Sequence, residues 1–339
     1  MTISRNANTL PRSPLIVWQW MLSAGWNATP IGILSDGMPN HQETRRQFLT
    51  ALGALGLGTA FGAPASLSAA VDALAKLPKS PTLPVVFVGH GTPFSAIDPN
   101  VWTAQWGRLG TSLPRPQAIL AVSAHWLTRG VSLVTSSDRP PMNYDISGFP
   151  RAIYEYRYPS PGNPAVARGV AQVLKDRVPV LDDTQWGYDH GTWLVLKYMY
   201  PKADIPVLQL SIDFSRPPAF HYDLATRLAA LRSRGVLILG SGNVVHNLSE
   251  RGGTGVTPRP RDWAVEFDTR ISGAVLKGDH AQPINFLDLG PLARQAHPSY
   301  DHFLPLLYCL GAAGPKAKVR TFCEGFQWPG ISMRGFVLT

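Results

Sequence analysis

Three histidines of this chain share one setting. Each follows a short run of branched apolar residues that breaks off into glycine, serine or alanine. The stretch Leu83–Phe94 (LPVVFVGHGTPF) carries His90, Ile119–Ala124 (ILAVSA) delivers His125, and Val236–Gly240 (VLILG) runs through Ser241-Gly242-Asn243 to His246. Such a run reads as a buried strand of an α/β sheet. Gly89-His90-Gly91-Thr92-Pro93 cannot continue it, so the chain turns there. Ligands of open α/β sheets bind outside the carboxyl ends of the strands. Imidazoles brought to three such ends predict one site where they converge. Neutral imidazoles suit zinc and iron, and no thiolate cluster competes with them.

Two further histidines extend the set. His190 follows Asp189 at a helix entrance in Trp186–Trp193 (WGYDHGTW), where Asp189 either orients a ring or binds substrate, or caps the helix. His302 sits in Ser299–Leu310, read as the last helix. Asn243, beside His246, can fix the backbone or bond a substrate. Glu266 is a fallback carboxylate ligand, although its helix gives it a structural role. His221, His280 and His297 read as surface or structural, and Cys309 and Cys323 as two buried thiols. Gly240-Ser241-Gly242-Asn243 lacks the Lys-Ser/Thr of a phosphate loop, and there is no G-x-S-x-G nucleophile elbow.

The elements that must hold these residues alternate. After the first strand, Asp98–Leu109 reads as a helix opened by Asp98 and Pro99. Strands follow at Ile119–Ala124 and Val131–Thr135, then a long Pro/Gly/Tyr segment, Ser136–Pro161. A long irregular segment in a compact domain is often a lid or binding loop, and Tyr144–Pro150 is expected to cover the pocket. Ala165–Lys175 and Trp186–Tyr200 read as helices, Ile205–Ile212 as a strand, Pro218–Arg232 as a helix and Asp262–Leu276 as another. Arg320–Gly325 and Ser332–Leu338 can close the sheet. The pattern predicts an α/β fold: a single domain with a central, largely parallel or mixed sheet flanked by helices.

The 339 residues can bury a sizeable core, and 45% hydrophobic with 16% charged residues excludes a disordered chain. The formal net charge of +9 is spread singly, without basic runs or a stacking motif, so nucleic acid is not an expected partner. Residues 1–37 lack a clear period and read as an upstream extension, with Met38 the start. Residues 38–70, which include His41, have the layout of an export signal. Arg45-Arg46 precede Phe48-Leu49, an apolar Ala51–Ala63 follows, and small residues at Ser66–Ala70 make a cleavage zone. The paired arginines resemble the twin-arginine type, which implies that export machinery as partner and a periplasmic or exported location, or a cytoplasmic one without a working signal. Residues 71–82 read as a linker and 83–339 as the catalytic domain.

The blocks GHGTP (89–93), SAHW (123–126), GFP and YPSPG (148–150, 158–162), WGYDHGTW (186–193), QLSID (209–213), SGNVVHNL (241–248) and HFLPLLY (302–308) occur in one order. Together they resemble the class III, LigB-type extradiol ring-cleavage dioxygenases, in the DOPA 4,5-dioxygenase-like branch. The resemblance implies metal binding by His90, His125 and His302, with His246 over the metal as an acid/base that can also ligate. It implies a substrate-side role for His190 with Asp189. His302 lies where other class III enzymes supply a glutamate, so the site is all imidazole and one Fe(II) or Zn(II) per chain is expected. The implied reaction opens a small catechol-type aromatic with O2. Two other readings fit a bare imidazole site: a zinc-dependent hydrolase, and an exported non-catalytic metal- or ligand-binding protein.

Overall fold

The computed structural model describes residues 78–250 and 259–339. The proposed extension, the signal, Arg45, Arg46 and His41 lie outside the described residues. Six strands form the central sheet: β1 (Val85–Gly89), β2 (Ala118–Ser123), β3 (Val207–Gln209), β4 (Val236–Gly242), β5 (Val319–Phe322) and β6 (Gly335–Leu338). Their order is β3-β2-β4-β1-β6-β5. The first four are mutually parallel, and β6 runs antiparallel to both β1 and β5. The mixed sheet expected from the alternating pattern is therefore present.

Period two along each strand builds two cores. Val85, Phe87, Leu120, Val122, Val236 and Ile238 point into one; Val86, Val88, Ile119, Leu237 and Leu239 point into the other. Both faces are covered, which is why these strands read as unbroken apolar runs. On the first face lie helices α4 (Asp262–Leu276) and α5 (Leu304–Ala313), together with α2 (Pro164–Leu174). On the second lie α1 (Val101–Ser112) and α3 (His190–Met199). Among the described residues no helix is long and apolar enough to cross a membrane.

Several boundaries differ from the sequence reading. Helix α1 begins at Val101, not Asp98, because Asn100 makes a full capping box: its side chain accepts from the Trp102 and Thr103 amides, and the Asn100 amide donates to Thr103 Oγ1. The run 205–212 is not one strand. After Gln209 the Leu210 amide still bonds Ala121, but the Ser211 amide turns to Leu133, and Ile212–Asp213 pairs with Leu127–Thr128 in a separate two-stranded sheet. The helix expected over Pro218–Arg232 is broken into Pro218–Ala225, a 3-10 turn at Thr226–Leu228, and Ala229–Arg232. His221, His280 and His297 are buried rather than on the surface. They bond Tyr308 Oη, Tyr222 Oη and the Val244 carbonyl respectively.

Candidate functional site

The parallel register brings the ends of three strands level. Gly89 pairs with Gly242, and Ser123 with Ser241. His90 and His125 follow directly, with the His90 amide bonded to the Gly242 carbonyl and the Ala124 amide to Ser241. His302 does not ride on a helix as expected; it stands in the turn before α5. Its carbonyl accepts from the Asn243 amide, which pins that turn to the end of β4. Gly242 is required at this crossing, since a Cβ there would stand 2.2 Å from the His302 carbonyl oxygen. His190 is the first residue of α3.

Five imidazoles meet here. Ring centroids of His90 lie 5.0 Å from His125, 5.2 Å from His302 and 5.5 Å from His190. His125 and His190 are 3.9 Å apart, and His246 stacks flat on His302 at 3.4 Å with 3° between planes. Donor atoms of His90, His125 and His302 all lie within 4.8 Å of one another, a set that does not include His246. His246 lies on the face of His302, beside this group.

Each of the three rings has an oxygen beside its Nδ1. Ser241 Oγ gives its only proton to the Gly191 carbonyl at 2.5 Å, so at 3.1 Å from His90 Nδ1 it accepts. His125 Nδ1 lies 3.2 Å from Asp145 Oδ2, and His302 Nδ1 3.1 Å from Asp301 Oδ2. For His90 and His302 these bonds put the proton on Nδ1 and leave the Nε2 lone pair free, as metal-ligating histidines require, and the Asp145 carboxylate beside His125 Nδ1 favours the same tautomer there. His90 Nε2 and His125 Nε2 are 3.1 Å apart. Two lone pairs facing at that distance repel unless a cation stands between them. Nitrogens bound at about 2.1 Å to one ion are about 3.0–3.4 Å apart for the usual angles. The residues fit a divalent metal.

Electrostatics agree. Burial first, then the neighbouring imidazoles, pushes His90, His125 and His246 well below the ordinary histidine range. They are neutral near pH 7 and need lose no proton to ligate. His190 moves the other way: burial pulls its pKa down, but the Asp145 carboxylate overrides burial and raises it. Asp145 itself is held well below the carboxylate range by His190 and His125, against the effect of burial.

Of the roles the sequence left open for Asp189, the structure shows the helix cap. Asp189 is the fully buried N-cap of α3 and accepts from the Thr192 amide, from Ser123 Oγ at 2.7 Å and from Gln209 Nε2 at 2.6 Å. Burial, then Asp145, raises its pKa to about 6. The carboxylate that faces the His190 ring is Asp145, which the sequence did not single out. Asp301 was missed as well, although its place beside His302 is a readable signal. Glu266 pairs with Arg270 on the exposed side of α4, away from the imidazoles. Phe149 of the Tyr144–Pro150 segment packs on Phe94, four residues past His90, at 5.0 Å.

Residues 95–336 match the family described as the catalytic LigB subunit of aromatic ring-opening dioxygenase. The chain belongs to the LigB family. A 4,5-DOPA dioxygenase extradiol of Escherichia coli (strain K12) is 43% identical over 259 residues, which are 75% of this chain and 94% of that protein. The protein of the same name from Beta vulgaris is 38% identical over 253 residues, 72% of this chain and 91% of its own. A crystal structure of an uncharacterized protein from Escherichia coli K12 superposes with a TM-score of 0.66 at 38% identity, covering 76% of this chain and all of the other. The protein is an extradiol ring-cleavage dioxygenase of the class III, DOPA-dioxygenase-like type, and its substrates are O2 and an aromatic ring.

Proposed function

We propose that this dioxygenase is metal-dependent, holds one ferrous ion through His90, His125 and His302, and opens a catechol of the DOPA kind. The observation that carries the reading is the convergence of three Nε2 lone pairs whose Nδ1 partners are all oxygen. A bound ferrous ion would supply the centre at which catecholate and O2 exchange electron density. The chain's own groups do the rest. His246, neutral and stacked beside the ligands, takes a phenolic proton and later returns it. His190, whose pKa the Asp145 carboxylate raises, holds one proton on Nδ1 toward Asp145 and, as an imidazolium, donates Nε2–H to an anionic oxygen of the substrate. The same donor set suits zinc, so the metal is assayed along with activity.

The test is oxygen uptake by anaerobically purified protein with DOPA and other catechols. Uptake with a yellow ring-opened product, restored to apo-protein by Fe(II), is expected. Protein that holds one tight zinc and consumes no oxygen with any catechol would defeat the proposal.

A further inference from the structure

We propose that Asp145 is the positioning residue of this site: one carboxylate, supplied by the Ser136–Pro161 segment, that sets the rings of His125 and His190 together. The proposal rests on the metal-dependent reading above. Asp145 Oδ1 accepts the His190 amide at 2.9 Å. Its Oδ2 accepts His190 Nδ1 at 2.8 Å and faces His125 Nδ1 at 3.2 Å. A ligand and a substrate-side ring, on different elements, therefore share one oxygen atom.

The segment is not draped over the site by chance. Met142 forms a parallel bridge with Tyr188, with the Asn143 amide bonded to the Tyr188 carbonyl at 2.8 Å and the Tyr188 amide to Pro141 at 2.8 Å. Gly187 permits this approach, because a Cβ there would stand 2.1 Å from the Pro141 carbonyl oxygen. Tyr188 is itself fully buried, its hydroxyl bonded to the carbonyls of Ser160 and Val207. The bridge fixes the register. Three residues beyond Met142 and two beyond Tyr188, Asp145 meets His190. The path of the long segment and the orientation of the imidazoles are thus one construction.

The consequence is chemical. Two N–H groups of His190 donate to Asp145, one to each oxygen, and the His125 ring faces the second oxygen; only a carboxylate offers an acceptor at both positions. A carboxamide of the same shape puts an NH2 against at least one N–H in either orientation. An NH2 at the Oδ1 position opposes the His190 amide, which has no other tautomer and must draw away. An NH2 at the Oδ2 position opposes the His190 ring, which must rotate or move its proton from Nδ1 to Nε2, and sets the same NH2 against His125. For His125 that consumes the lone pair that faces the metal. For His190 it turns Nε2 away from substrate or changes what it presents. Loss of the partner of a ligating histidine costs about 10–100-fold in metal affinity or activity.

The experiment compares Asp145→Asn and Asp145→Glu with the wild-type full chain, first by titrating metal-free protein with cobalt(II). The Asn variant is expected to bind cobalt about 10–100-fold more weakly, and after Fe(II) loading to lose about 100-fold in kcat with KM within about threefold. The Glu variant, which keeps the charge, is expected to recover at least about tenfold of that kcat loss. Cobalt affinity and kcat both within about threefold of wild type in a folded Asn variant would overturn the proposal. Nitrogen-15 NMR of the wild-type imidazoles needs neither turnover nor a variant: a proton on Nδ1 of both His125 and His190 is expected, and its absence from either ring overturns the assignment. Wild-type protein that consumes no oxygen with any catechol defeats the function proposed above, while the cobalt and NMR measurements still decide the role of Asp145.

Discussion

At the scale of single residues, the site sets three convergent rings apart from a fourth. His302 offers a nitrogen to the convergent set, whereas His246 lies flat against it and outside that set. The two are close enough that distance from the metal alone would not assign them. Cobalt titration does. His302→Ala should weaken binding by more than the ~10–100-fold that an outer partner costs. His246→Ala should leave affinity within about threefold yet lower kcat by about 10²–10⁴, the worth of a positioned acid or base. Equal loss of affinity in both variants would make His246 a ligand. The sequence showed His90, His125, His190 and His246 because each follows an apolar run or opens a helix, and His302 through the family resemblance. It could not show Asp145, a single acid in a Pro/Gly/Tyr segment whose partners are 20 and 45 residues away.

At the scale of elements, the first turn of α3 is the joint of the site. Asp189 caps that helix and also receives Ser123 from the end of β2 and Gln209 from the end of β3. One buried carboxylate thus ties two strand ends to a helix start. Asp189→Ala removes the helix cap and leaves two buried donors, Ser123 Oγ and Gln209 Nε2, without partners, and a loss of about 2–4 kcal/mol of stability is expected. Thermal unfolding would measure it, and an unchanged midpoint would show the cap to be redundant. The strands of the parallel half were legible because both their faces are buried. The breaks were not. The turn of the chain at Ser211 depends on Leu133, far away in sequence, and the start of α1 depends on a capping box only one residue beyond the proline that seemed to open it.

At the scale of the whole molecule, buried neutral histidines set the response to acid. Burial lowers His221 and His297 to about 4, against an ordinary value near 6.5. The unfolded chain therefore binds more protons than the folded one between pH 4 and 6.5. The stabilising contribution of these groups is complete above that window and is lost as pH falls through it, on the order of 3 kcal/mol each. Asp189, raised to about 6, works in the opposite sense and offsets part of this. The thermal midpoint should fall steadily from pH 6.5 to 4.5, with a shallower slope in His221→Gln; a flat profile would refute the reading. Cys309 and Cys323 are as deeply buried as these histidines. Both are free, and burial pushes both thiols far up, Cys323 to about 12. Thiolate is the form that oxidants and disulfides attack. The described residues therefore hold no disulfide to lose and no ready thiolate to oxidise: in reducing and oxidising surroundings alike, their folding asks for no oxidant.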